Sequence, residues 1–211
     1  MIWAPTFMLL LGKNSLVILM DSIDERLNRI ENIIKKDSFR QNKGLGNEVG
    51  YYIFDYEPQY EIKVRDHIEH LKTRINKSSY PFKLIEFDLY NIIIEILKEK
   101  GYLEKSFKFE EKKGREFTKR AINKLLKLSS ESNLIVNHIK DNTPKNSVVF
   151  LTGIGKSYPL LRSHNVLNNL HQVLDEVPVV MFFPGEYSGN DLILFRTIQD
   201  NNYYRAFPLV E

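Results

Sequence analysis

At 211 residues the chain can bury one hydrophobic core and is short for two, and its 43% hydrophobic and 12% aromatic content excludes a wholly disordered protein. The absence of cysteine excludes disulfides, thiolate catalysis and cysteine-ligated zinc or iron–sulfur sites, and fits a reducing, cytoplasmic compartment. The formal charge is only +3, but residues 98–127 hold 11 basic and 5 acidic side chains, so the rest of the chain is net acidic. A basic stretch of this kind is either a solvated helix face or a footprint for nucleic acid or an acidic partner.

Residues 1–20 carry one charge, Lys13, between apolar runs at 7–11 and 16–20. Neither run approaches the ~20 apolar residues of a bilayer span. No basic segment precedes them as in a signal peptide, so no membrane association is expected. The segment is read as an extension outside the fold, with Met20 as an alternative start; a packed strand over 16–20 is the other reading.

Apolar positions Ile23, Leu27, Ile30 and Ile34 predict a helix over 21–36, capped by Asp21 or Ser22. Gly44-Leu45-Gly46 breaks the chain before a short strand, Tyr51-Tyr52-Ile53-Phe54, that ends at Asp55. Pro58 turns into a helix over 59–76, and Pro81 precedes a strand over 82–89. A helix over 90–100 stops at Gly101. Residues 116–140 read as one helical stretch with Phe117, Ala121, Leu125, Leu128 and Ile135 inward. Ser147-Val148-Val149-Phe150-Leu151 is continuously apolar, as a central parallel strand should be. A helix over 159–174 follows, then a buried strand over 177–183 closed by Pro184-Gly185, a short helix over 191–199 and a last strand over 203–207.

Strands separated by helices imply crossovers and a mainly parallel sheet. The expected fold is therefore α/β, a single three-layer domain over 21–211 with about five strands, P-loop-like or Rossmann-like in outline. In such sheets ligands bind beyond the carboxyl ends of the strands. Those ends carry Asp55, Asp88, Gly153-Ile154-Gly155-Lys156-Ser157 and Pro184-Gly185-Glu186-Tyr187, with Arg162 and His164 near by. The Gly-Lys-Ser sequence resembles a phosphate loop, but that loop needs a glycine five positions earlier, where Phe150 stands. The turn is therefore read as a backbone bend, and no cofactor, small-molecule ligand or resident metal is expected. Asp55, Asp88 and Glu186, with His164, could alternatively gather at the sheet edge as a metal-dependent hydrolytic site. Acids at such turns also serve as helix caps.

Two segments resemble the BrxB family of BREX bacteriophage-defence proteins: Gly153-Ile154-Gly155-Lys156-Ser157-Tyr158-Pro159 with the following 161–170, and Pro178-Val179-Val180-Met181-Phe182-Phe183-Pro184-Gly185-Glu186-Tyr187. Lys43-Gly44-Leu45-Gly46-Asn47-Glu48 and Tyr203-Tyr204-Arg205-Ala206-Phe207 agree in order, and 100–140 matches weakly. The resemblance implies a core component of a BREX complex, beside the phosphatase-like protein PglZ, an adenine methyltransferase and a large ATPase. It carries no catalytic activity with it. It favours a non-catalytic assembly role, with Arg162, His164, Asn165, Asn168, Glu186 and Tyr187 as partner-binding candidates. Lys112, Lys113, Arg115, Lys119 and Arg120 are the candidates for touching DNA within the complex. The alternative is a metal-dependent nuclease or nucleotide hydrolase using Asp55, Asp88, His164 and Glu186.

Overall fold

Strands form here where apolar residues run unbroken and can be covered on both faces. A computed structural model describes residues 21–41, 50–128, 130–200 and 205–210, without the side chains of His164 and Asp200. Its strands are β1 (Tyr51–Tyr56), β2 (Lys83–Asp88), β3 (Ser147–Thr152), β4 (Val179–Tyr187), β5 (Leu192–Leu194), β6 (Ile198–Asp200) and β7 (Phe207–Pro208). Five of them lie in the order β2-β3-β4-β1-β7, all parallel. The helices are α1 (Ile23–Ile34), α2 (Asp37–Arg40), α3 (Glu61–Lys77), α4 (Leu89–Glu99), α5 (Leu103–Lys113), α6 (Arg115–Leu126), α7 (Leu134–Asp141), α8 (Ile154–Ser157) and α9 (Ser163–Leu170). The predicted segment 1–20, the turn Gly44-Leu45-Gly46, and Tyr203 and Tyr204 of the predicted last strand lie outside the described residues.

The side chains of each strand point alternately to opposite faces, and this divides the core in two. Val148, Phe150, Val180, Phe182, Phe54 and Tyr56 meet α1, α2 and α3. Val149, Leu151, Val179, Met181, Phe183, Tyr51 and Ile53 meet α4, α6, α7, α8 and α9. The result is the expected three-layer α/β arrangement. Every residue of β3 is buried, as its central place requires. The outer edge, β2, is partly closed by Asn76, whose amide donates to Leu84 O (2.9 Å) and accepts from Leu84 N (2.9 Å). The side chain imitates a neighbouring strand at one position and so shortens an edge that would otherwise invite pairing.

Four predicted elements are corrected. Residues 116–140 are not one helix: Lys127 takes a left-handed φ of 53° and Asn133 caps a new helix by accepting from Ile135 N (3.0 Å) and Val136 N (3.4 Å). The break shifts the inward face, so Thr118, Ile122 and Leu126 are buried where Phe117, Ala121 and Leu125 were expected. The predicted helix over 159–174 shortens to Ser163–Leu170. The predicted helix over 191–199 is instead the β5–β6 hairpin, turned by Phe195 (φ 54°) and Arg196 (φ 57°). Leu192 and Leu194 bury on a period of two because β5 pairs with the end of β4. That end, Gly185–Glu186–Tyr187, also corrects the expected stop at Pro184-Gly185: β4 continues, leaving β1 at the Tyr56–Pro184 register position. Pro184 has no N–H to give a central ladder, which suits the point of departure.

A histidine closes the second layer. His171 stacks on Tyr51 with ring centroids 3.8 Å apart, and its Nδ1 is buried with no hydrogen-bond partner. Burial, with the Arg205 charge adding to it, pushes its pKa from 6.5 down to about 4. The folded ring therefore stays neutral while the unfolded one takes a proton as pH falls below 6.5. Stability present above pH 6.5 should decline between pH 6.5 and 4, by roughly 1–2 kcal/mol at pH 5 after discounting for solvent screening. Urea midpoints of the wild type and of His171→Phe across this range check it; an equally steep decline in the variant would refute the assignment.

Candidate functional site

The carboxyl ends of the strands carry Asp55, Asp88 and the glycine turn, Glu186 and Tyr187 lie on the continuation of β4, and Arg162 precedes α9, the helix that holds His164, Asn165 and Asn168. Asp55 sits on β1 opposite Phe183 of β4. Arg26 of α1 donates to its Oδ1 (2.7 Å), and Tyr187 N donates to its Oδ2 (3.0 Å). Asp55 thus ties α1, β1 and the departing end of β4 together. Asp88 ends β2 and caps α4, its Oδ1 accepting from Tyr90 N (3.0 Å) and Asn91 N (3.2 Å). Its other oxygen pairs with Lys156. In the strand order, Asp88 and Asp55 are separated by β3 and β4, three strand spacings or about 14 Å. A single metal ion cannot bridge them. Glu186 lies beyond, exposed on the hairpin opposite Ile193. His164 is placed on α9 by its backbone, and its side chain is outside the described residues. Among the described residues no three His, Asp or Glu side chains form a group that could hold a metal.

The glycine turn is built as a bend. Gly153 takes φ +75°, and a Cβ there would stand 2.3 Å from Asp88 Oδ1. Gly155 lies under the Phe195 ring, 2.9 Å from where its Cβ would be. Ser157 is buried, and its hydroxyl donates to Ile154 O (2.9 Å). Lys156 is held by Asp88 at the rim. The cavity beside the turn lined by Ile154, Tyr158, Leu161, Phe183 and Leu194 is about 20 Å³, room for about one water, whereas Lys156 and Asp88 face an open cleft of about 730 Å³ shared with Arg65, Glu86 and His138.

Other polar groups along this edge are likewise engaged with one another. Tyr56 donates to Glu61 (2.6 Å), and burial together with the Glu61 charge pushes that hydroxyl far above its ordinary pKa. Thr152 donates to Glu86 (2.9 Å), which also receives Lys72 (2.8 Å). Arg196 reaches from the hairpin to Glu57 (3.3 Å). Of the partner-binding candidates, Arg162 and Asn168 are exposed and Asn165 is half-buried. Tyr187 lies with its hydroxyl between the carbonyls of Ala206 (2.7 Å) and Gly189 (2.9 Å), a clasp between β4 and the chain entering β7.

Beside these polar groups the edge also exposes apolar side chains. Of the four large hydrophobic side chains exposed among the described residues, Ile62 (65%) follows β1, Tyr90 (36%) follows β2, and Phe195 (36%) sits in the β5–β6 turn with its N–H on Pro184 O of β4. None was picked out in the sequence. Ile62 had a signal: it lies two residues, about 200°, off the buried stripe of Val64, Ile68, Leu71 and Ile75. Tyr90 and Phe195 had none.

The family model described as BREX protein BrxB matches residues 85–209, from β2 through β7. A BREX protein BrxB of Bacillus cereus (strain H3081.97) is 52% identical over 192 residues, covering 91% of this chain and 100% of the relative. The chain belongs to the BrxB family. A second BREX protein BrxB, from Escherichia coli O9:H4 (strain HS), is 35% identical over 188 residues, 89% of this chain and 92% of the relative. No solved structure matches significantly. The family match takes in the glycine turn, α9 and the β4–β5–β6 corner, so the packing of Gly153 and Gly155 belongs to the BrxB segment of the chain. Among the described residues no helix is long and apolar enough to cross a membrane.

Proposed function

We propose that this BrxB-family chain is a cytoplasmic, non-catalytic assembly component of a BREX defence complex, and that its sheet edge binds another BREX protein, PglZ being the expected partner. The observation that carries this is the exposure of Ile62, Tyr90 and Phe195 at the edge where an enzyme of this architecture would hold its ligand. Exposed aromatic and apolar anchors rimmed by charge are the composition of binding hot spots. Lys156, Arg196, Glu57 and Arg162 supply such a rim. Phe195 is presented by two consecutive non-glycine residues at positive φ, a conformation costing about 1–3 kcal/mol per residue and concentrated at functional positions.

The test is affinity capture of the tagged chain from cells expressing the complete defence operon. Wild type should retain PglZ; Ile62→Ser combined with Tyr90→Ala should lose most of it, and Arg162→Ala should weaken it several-fold. Tyr187 is unsuitable for this test because its clasp is structural. Equal recovery of PglZ by all variants would remove the edge from consideration.

A further inference from the structure

The fourth exposed hydrophobic, Phe107 (58%), stands on a different surface. Helices α5 and α6 are joined by the single residue Gly114 (φ 77°, ψ 173°), a conformation essentially restricted to glycine. Between Ser106 and Thr118 no described residue is buried. This corner is held together by its own contacts: Phe109 meets Phe117 edge-on at 5.5 Å, and Lys113 lies 4.4 Å over the Phe117 ring. It therefore projects from the helical layer without contributing to the main core.

The corner carries the basic surplus. On α5, Lys105, Lys108 and Lys112 fall at i, i+3 and i+7, one stripe about 60° wide and about 10 Å long. On α6, Arg120 and Lys124 fall at i, i+4. Spacings of about 5–6 Å are well inside the Debye length of about 10 Å at 0.1 M salt, so the potentials add. Glu104 and Glu116 stand at i−4 from Lys108 and Arg120, in position to neutralise them, yet neither pair closes. Among the described residues the eleven cations of 98–127 make one ion pair, Arg115 with Glu110 (3.2 Å), on a side chain 92% exposed. Like charges repeated along a helix weaken it by a few tenths of a kcal/mol per pair. A bound polyanion would relieve that cost.

The geometry points to the α5–α6 corner as a contact for the phosphate backbone of duplex DNA, independent of base sequence. A regular polyanion fits two extended cation rows on separate helices better than a single acidic peptide. Lysines on mobile stems suit phosphate contact and not base reading. The side chains tested here, Lys108, Lys112 and Arg120, are not among those varied in the partner-capture test, so the two readings fail separately.

Fluorescence anisotropy with a labelled duplex of about 30 base pairs tests it, at salt from about 50 to 200 mM. Wild type should bind, with log affinity falling linearly against log salt. Lys108→Gln, Lys112→Gln and Arg120→Gln together should weaken binding at least about ten-fold and make the salt slope shallower by about 2–3, near 0.9 per lost phosphate contact. Lys108→Arg with Lys112→Arg should bind as wild type, showing that charge and not a disturbed helix is responsible. Ile62→Ser should also leave DNA binding intact. Failure of the wild type to bind at the lowest salt, an unchanged slope in the triple variant, or salt-independent binding would each overturn the proposal. So would a triple variant that keeps its DNA affinity but loses a protein from the operon capture, since the cations would then serve an acidic protein.

Discussion

Gly185→Ala should destabilise the protein by about 3 kcal/mol. A Cβ on Gly185 would stand 2.1 Å from the Ile193 carbonyl oxygen and 2.7 Å from the Phe183 ring. The first obstacle is backbone of the paired strand β5, and the second is a buried core ring, so neither can step aside cheaply. Relief requires β5 to retreat from β4, which loosens the ladder Gly185–Leu194, Glu186–Ile193 and Tyr187–Leu192. The damage should reach the edge surface as well, because Phe195 N donates to Pro184 O (2.9 Å) through the same junction. Glu186→Ala, at the exposed neighbour, should change stability by less than about 0.5 kcal/mol. Urea denaturation of the three proteins decides the matter; a Gly185→Ala midpoint indistinguishable from that of Glu186→Ala would show that β5 yields freely.

This junction also marks where the sequence stops being readable. The parallel strands were legible because their burial is intrinsic to composition: Val148 to Leu151 and Val179 to Phe183 are apolar at every position, and only a doubly covered strand uses such a run. The start of α1 was legible because the Ser22 capping box with Glu25 is local chemistry. The hairpin was not. Leu192 and Phe195 lie at helical spacing, and what overrides it is β4, reached only when the chain folds back through Asn190 and Asp191. The helix break at Lys127 was hidden for a related reason, since its left-handed φ belongs to a residue type with no preference for it.

The candidate site was half legible. Sequence order put Asp55, Asp88, the glycine turn and Glu186 on one edge, and they are there. It could not supply strand order, and strand order sets the two aspartates about 14 Å apart. Nor could it supply Arg26, which reaches Asp55 from a helix 29 residues earlier. Asp55 and Asp88, the two strand-end carboxylates that looked available for chemistry, are each engaged in fixing the position of an element, while Glu186 stands exposed beyond them. The apolar residues that look like routine helix and turn positions are the ones left facing solvent.

Phe182→Ala should cost about 3–5 kcal/mol. Phe182 is 1% exposed and lies between Phe150 (centroids 4.8 Å) and Phe54 (5.5 Å), so three rings from β3, β4 and β1 form a row across the first layer. Arg26 stacks on the Phe54 end of that row at 4.8 Å before it reaches Asp55. Removing the middle ring leaves a cavity that the fixed spacing of parallel strands keeps from closing, which places the cost near the top of the range for such truncations. A domain stable by 5–15 kcal/mol would be left marginal. Phe182→Leu, which fills most of the volume, should recover more than half of the loss. Denaturation should show a lowered midpoint with unchanged slope, because the same surface is exposed on unfolding. A loss below about 1 kcal/mol would mean that α1 and α3 collapse onto the sheet, and that the row of rings does not set the distance between those layers.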